Sequence, residues 1–300
     1  MNEGSSTAEG LVWIPKASEI AREAGAVLRE FFAQGVETEY KGDVDIVTVA
    51  DRAVEKLIRA RLAEVFPQHG VYGEEGTREG LESEFRWYVD PLDGTTNFAH
   101  GFPQFSVSMG LERRPSGTGP DQDGTLEAGV VYDPMRDELF SAERGRGARL
   151  NGRPIHVSPI PELAESLVAT GFPSRKRHSS PNIHFYHEFT LRSHGVRRAG
   201  SAALDLAYVA AGRIDAFWEF NLNPWDTAAG ILIVEEAGGR VTDFAGNHFE
   251  LSSLEVLASN GHIHDEMIRF FEDMFAGRNL TPIPTPAEWA EQRDARSVKR

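Results

Sequence analysis

A layered sandwich of the α/β or α+β class is the fold this sequence predicts, and three observations predict it. Segments with apolar residues at helical spacing alternate with short β-branched or aromatic runs along the whole chain. Neither type is confined to one region and no internal repeat is present, which argues against an all-α or all-β chain. With 40% hydrophobic residues over 300 positions, the chain can bury a sizeable core. A single domain is expected over 11–276, in two halves meeting near residue 150, with flexible ends at 1–10 and 277–300.

The elements follow in order. Ile20, Ala21, Ala24, Val27, Leu28, Phe31 and Phe32 recur at helical spacing, so a helix is predicted from Lys16 to Phe32, stopped by Gly35. Val36 to Val47 reads as a hairpin turning at Gly42-Asp43. Thr48 is a good N-cap for a helix carrying Val54, Leu57, Ile58, Leu62, Val65 and Phe66. Val71-Tyr72 is a short strand before Gly73-Glu74-Glu75, and Phe85 to Val89 is another. Phe105–Leu111, Leu126–Tyr132 and Glu138–Ala142 read as strands, with an exposed loop from Arg113 to Gly124. A hairpin through Gly145, Gly147 and Asn151-Gly152 follows. Gly145-Arg146-Gly147 lacks the third Gly and the helix of a dinucleotide loop. The second half predicts strands at Ser166–Thr170, Ile214–Phe220, Arg240–Thr242 and Val256–Ala258. Its helices are predicted at Asn182–Ser193, Ala202–Ala211, Asp226–Val234 and Ile263–Phe275.

Composition narrows the function. Lys and Arg number 31 against 46 Asp and Glu, a formal net charge of −15. Such a field repels nucleic acid and anionic membrane, so neither is an expected partner. It also repels a phosphorylated substrate unless bound cations reverse the local potential. The absence of Cys excludes disulfides, thiol catalysis and zinc–thiolate sites, and suits the cytoplasm. The apolar run Leu11 to Ile14 is too short for a signal or membrane segment. His184 and His187 share a helical face but lack the carboxylate of a His-Glu-x-x-His metal motif.

The most informative stretch is Asp90-Pro91-Leu92-Asp93-Gly94-Thr95-Thr96-Asn97-Phe98. A predicted strand delivers two carboxylates, then a Gly and two hydroxyls. Asp90, Asp93 and the Leu92 carbonyl offer the hard oxygen ligands that Mg²⁺ prefers. Gly94 permits a tight turn, and the amides of Gly94, Thr95 and Thr96 can face an anion at a helix start. Taken alone, the first five residues are also an ordinary Asp-rich turn capping a helix.

The nine-residue string resembles the signature of the inositol monophosphatase family, Mg²⁺-dependent and lithium-sensitive phosphatases. Three further strings match that family in order. Gly73-Glu74-Glu75 matches its G-E-E, Val47-Thr48-Val49-Ala50-Asp51 its V-T-x-x-D, and Trp225-Asp226-Thr227-Ala228-Ala229-Gly230 its W-D-x-A-A-G. The resemblance covers residues 12–275. It implies metal ligation by Glu74, Asp90, the Leu92 carbonyl, Asp93 and Asp226. Asp51 and Thr95, with Glu74, would activate the attacking water. Weaker matches imply that Gly200, Ser201, Ala202 and Glu219 contact the sugar, Glu219 standing seven residues before Asp226 where inositol-specific members place an acid. Lys41 resembles a basic residue of a metal-site hairpin.

The implied fold is a five-layered α-β-α-β-α sandwich, commonly a homodimer. The implied reaction is hydrolysis of a small phosphate monoester with two or three Mg²⁺, myo-inositol 1-phosphate first. The alternatives are histidinol phosphate, fructose 1,6-bisphosphate or 3′-phosphoadenosine 5′-phosphate, or a non-catalytic regulatory protein that kept the fold.

Overall fold

Ala17, Ile20, Ala21, Ala24 and Leu28 form a fully buried stripe on helix α1 (Ser6–Gln34). The helix starts earlier than its periodicity predicts and continues through Pro15. Trp13, buried with its ring 5.4 Å from Phe85, anchors the turn before that proline. The computed structural model describes residues 6–35, 38–40, 46–115, 124–172, 180–283 and 285–290. Strands β1 (Thr38–Tyr40) and β2 (Ile46–Thr48) form the expected hairpin, Thr38 opposite Thr48. Lys41 and the Gly42-Asp43 turn lie outside the described residues, as does most of the Arg113–Gly124 loop. Thr48 caps helix α2 (Val49–Val65), which packs on α1 through Val54, Ile58 and Leu62.

These two helices cover one face of an eight-stranded sheet. Its strands are β3 (Gly70–Gly73), β4 (Arg78–Glu79), β5 (Phe85–Asp93), β6 (Ser106–Arg113), β7 (Thr125–Asp133), β8 (Glu138–Glu143), β9 (Ala148–Leu150) and β10 (Arg153–Pro154). The spatial order is β10-β9-β8-β7-β6-β5-β3-β4. The two-residue period of strands sends Trp87, Val89, Val107 and Met109 toward α1 and α2, and Tyr88 and Val131 to the other face. A short helix, α3 (Thr95–Ala99), follows β5.

The second half holds β11 (Leu167–Thr170), α4 (Asn182–Arg192), β12 (Gly195–Arg197), α5 (Ala202–Ala210), β13 (Ala216–Phe220), α6 (Pro224–Glu236), β14 (Arg240–Thr242), β15 (Glu255–Ser259) and α7 (His264–Phe275). Its five strands lie in the order β12-β11-β13-β15-β14. Helices α5 and α6 fill the space between the sheets. Phe185 and Phe189 of α4 and Phe270 and Phe271 of α7 pack on the outer face, against Trp218 and Leu257. The layers therefore run α1/α2, large sheet, α5/α6, small sheet, α4/α7. This is the five-layered α-β-α-β-α sandwich that the resemblance implied. Beyond α7, the Asn279 carbonyl accepts from Arg192 at 2.9 Å and the Thr281 amide donates to Glu188, so this part of the C-terminal segment lies on α4.

Helix α6 meets the large sheet at unusually short range. Gly110 and Gly129 sit opposite each other on β6 and β7. A Cβ at Gly110 would stand 2.6 Å from that of Ala228, and one at Gly129 would stand 2.7 Å from the Ala229 carbonyl. Ala228 and Ala229 of α6 and this glycine pair thus form one contact, while Gly230 leaves room for Leu206 of α5, and together these fix where the helix N-terminus emerges.

Candidate active site

The large sheet and the middle helices meet at a cleft of about 630 Å³. Glu74, Asp90, Leu92, Asp93, Gly94, Thr95, Thr96, Gly200, Ser201, Ala202, Glu219 and Asp226 all line it. Of the expected site residues that are described, only Asp51 does not, and it reaches the cleft through Thr95.

Strand β5 continues through the acidic motif, where the sequence predicts an end at Val89. Asp90 pairs with Ser108 and Asp93 with Ser106, so one extra residue bulges between them. Pro91, which lacks an amide donor, sits in that bulge. The bulge turns both carboxylates into the cleft, and the Leu92 side chain is buried. Gly94 then adopts φ +96°, and a Cβ there would stand 2.9 Å from the Gln104 carbonyl. Thr95 and Thr96 open α3, where the first amides have no intrahelical acceptor.

Asp51 is fixed by a capping box. Its Oδ2 accepts from the Thr48 amide at 2.7 Å and hydroxyl at 2.6 Å, leaving Oδ1 to the Thr95 hydroxyl at 3.1 Å. That hydroxyl also stands 3.0 Å from the Leu92 carbonyl. Burial pushes the Asp51 carboxyl up, and the bonds from Thr48 and Thr95 pull it back.

The Asp93 carboxylate crosses to the second half and seats on the start of α5. It accepts from the Ser201 hydroxyl at 2.5 Å and the Ala203 amide at 2.8 Å. The Ala202 amide lies 3.3 Å from its other oxygen. The polar groups expected to meet a sugar at Ser201 and Ala202 thus engage Asp93, at the edge of the same cleft. The Gly200 carbonyl accepts from Asn97 at 3.2 Å, another bond between the halves. Helix α6 starts at Pro224, two residues before the Asp226 start expected from the sequence; Asn223 is its N-cap, and the Asn223 amide donates to Asp226 at 2.7 Å. The Asn-Pro pair is a helix-start signal from which this could have been read.

The acids raise one another. Burial pushes the Asp90 carboxyl well up, and the negative charges of Glu74, Asp93 and Asp226 push it further. Burial, with the charge of Asp93, lifts Asp226 to about 7 against the bonds from Asn223. Asp93 is raised by burial and lowered by its Ser201, Ala202 and Ala203 donors. Mutually repelling carboxylates in one cleft fit a cationic occupant. Among the described residues no three of them form a closed cage about one ion. Spread along the cleft, they suit hard cations that each take one or two protein oxygens together with water and phosphate.

On the far wall, the β13 alternation sends Glu219 to the inner face with Phe217, while Trp218 and Phe220 face outward. Gly171 leaves room for the Glu219 carboxylate, which a Cβ there would strike. Burial raises Glu219 well above the usual range, the charges of Asp205 and Asp226 add to this, and Arg198 opposes it. Arg198, Phe172, Asn221 and Asn223 also line the cleft, and sequence reasoning missed them. For Arg198 and Phe172 no local pattern marks the role.

Residues 12–274 match the model of the inositol monophosphatase family. The chain belongs to the inositol monophosphatase family. An inositol-1-monophosphatase of Rhizobium meliloti is 42% identical over 247 residues, 81% of this chain and 87% of that protein. The protein named Nus factor SuhB of Pseudomonas aeruginosa is 47% identical over 222 residues, 72% of this chain and 79% of that one. The solved inositol monophosphatase of Anabaena superposes with a TM-score of 0.78 at 39% identity, covering 91% of this chain and 98% of that one. In this inositol monophosphatase family member, the four acidic strings read from the sequence converge on one cleft.

Proposed function

We propose that the protein hydrolyses a small phosphate monoester with Mg²⁺, myo-inositol 1-phosphate being the foremost substrate. The observation that carries this reading is the meeting of Glu74, Asp90, Asp93 and Asp226 beside the Asp51–Thr95 pair, with Glu219 in the same cleft. Glu74, Asp90, the Leu92 carbonyl, Asp93 and Asp226 would hold two or three ions. When bound, Mg²⁺ supplies positive charge against the phosphate oxygens and acidifies water in the cleft. Thr95 donating to Asp51 turns its oxygen lone pairs outward, where they accept from the attacking water and orient it. The proton that the water loses would pass to the Thr95 oxygen as Thr95 gives its own proton to Asp51 Oδ1, so the carboxylate takes up the charge and none is left on the hydroxyl. The opening amides of α3 hold phosphate oxygens. Glu219 meets the ring hydroxyls of the leaving alcohol.

A phosphate-release panel with Mg²⁺ or chelator tests this. Inositol 1-phosphate should lead histidinol phosphate, fructose 1,6-bisphosphate and 3′-phosphoadenosine 5′-phosphate, and all rates should vanish in chelator. A different leading substrate would replace inositol within the same mechanism. Homodimer formation and lithium inhibition belong to the same proposal. A regulatory second role is favoured by one observation, the name Nus factor borne by the Pseudomonas relative. No helix among the described residues is long and apolar enough to cross a membrane.

A further inference from the structure

Glu55 lies one turn after Asp51 on α2, only 4% exposed. Its carboxylate accepts from the turn that carries Glu74: the Glu75 amide at 2.7 Å, the Thr77 amide at 3.0 Å and the Thr77 hydroxyl at 2.7 Å. Gly73 leaves the space it occupies, since a Cβ there would strike the carboxylate. The turn is closed on itself by Gly73 donating to the Thr77 carbonyl at 2.9 Å, and tied to β5 by Glu74 donating to Val89 at 3.1 Å. A buried carboxylate with three donors holds a backbone more firmly than a neutral acceptor, because charge-assisted bonds are about twice as strong.

The same turn is gripped from the other side. The Arg78 guanidinium donates to the Gly73 carbonyl and, at 2.8 Å, to that of Thr77. It stacks 3.7 Å above the Tyr72 ring and 5.5 Å from that of Trp225, the residue before Asp226. The turn bearing Glu74 is thus referenced to α2 through Glu55 and to the start of α6 through Arg78.

We propose that Glu55 is a positioning residue for metal binding: its carboxylate fixes the 73–77 turn so that Glu74 stands at ligand distance from the ions shared with Asp90 and Asp226. This rests on the metal-dependent reading of the cleft. Glu55→Gln keeps size and burial but turns an amide group toward the Glu75 or Thr77 amide, so one side of the clamp becomes donor against donor.

The test is Mn²⁺ binding to the full chain without substrate, followed by electron paramagnetic resonance, with half-saturating Mg²⁺ for phosphate release and thermal unfolding in chelator measured alongside. Glu55→Gln should weaken Mn²⁺ binding about ten- to hundred-fold, the range seen when groups that orient metal ligands are changed. Half-saturating Mg²⁺ should rise in parallel, while kcat at saturating Mg²⁺ stays near the wild-type value. Glu79→Gln, which only removes a surface partner of Arg59 on the same hairpin, should change neither. If Glu55→Gln fails to fold, Thr77→Ala removes one donor and should weaken Mn²⁺ in the same direction by less. Wild-type Mn²⁺ affinity in a folded Glu55→Gln protein, or in Thr77→Ala if only that variant folds, overturns the role of Glu55. Absence of Mn²⁺ binding by the wild type overturns the metal-dependent reading itself.

Discussion

Asp93 is the residue on which both halves of the molecule converge. Its two oxygens take three donors from the start of α5 while lying among the other acids. Asp93→Asn therefore does more than remove a charge. It places an NH₂ either against the Ser201 hydroxyl and the Ala203 amide or against the Ala202 amide, a mismatch costing about 1–3 kcal/mol of stability. Stopped assays should show kcat at least a hundred-fold down, ~2.7 kcal/mol in the barrier, and denaturation should show the stability loss. Near-normal turnover would exclude Asp93 from the metal site. Glu219 gives the complementary case. Glu219→Ala removes charge-assisted bonds worth about 1.5–3 kcal/mol, so kcat/KM for inositol 1-phosphate should fall roughly ten- to hundred-fold. A p-nitrophenyl phosphate assay should barely change, because that ester has no ring hydroxyls. Equal losses on both substrates would make Glu219 structural or catalytic instead. The acids were legible because each sits in its own local string. The engagement of Ser201 was not, because its partner is 108 residues away and no local pattern carries such a pairing.

At the scale of elements, α6 places Asp226 because Ala228 and Ala229 lie on Gly110 and Gly129. Gly110→Ala would put a Cβ 2.6 Å from that of Ala228 and 2.8 Å from the Ala229 amide nitrogen, which no side-chain rotation relieves. We expect about 1–3 kcal/mol of destabilisation in urea unfolding, together with a higher Mg²⁺ requirement, since the helix and Asp226 must back away. A stable variant with an unchanged Mg²⁺ requirement would contradict this account of how α6 is placed. Helices α2 and α7 and the hairpins were legible from periodicity and turn residues. The extension of β5 through Asp93 was not, because Pro91 and Asp-Gly read as an ending while pairing with β6 continues across the bulge. The early start of α1 was hidden by Pro15, which reads locally as a helix start, while the buried Trp13 precedes it on the helix.

The whole molecule concentrates part of its excess negative charge in one cleft, and its stability should register this. Asp226 rises from an ordinary 3.8 to about 7 in the folded chain. Between those values the folded state binds the extra proton, so in chelator this contribution is full below about pH 4 and is lost as pH rises through about 7. Asp90, raised in the same direction, adds to the trend. His69 and His264, both lowered to about 4 by burial, act oppositely on acidification, but equally with and without metal. The difference in Tm between Mg²⁺ and chelator therefore isolates the acids, and it should be larger at pH 8 than at pH 5. An equal difference at both pH values would mean that Mg²⁺ does not bind this cluster.

In the proposed mechanism these carboxylates hold the cations on which phosphate release depends. Its most direct test is the initial rate of phosphate release from myo-inositol 1-phosphate as Mg²⁺ is titrated, for wild type and Asp90→Asn. Expected are no rate in chelator, saturable activation of the wild type, and at least a ten-fold higher Mg²⁺ requirement or no activity in the variant, ~1.4 kcal/mol or more. A full rate in chelator, or an unchanged Mg²⁺ curve in a folded Asp90→Asn protein, would contradict it.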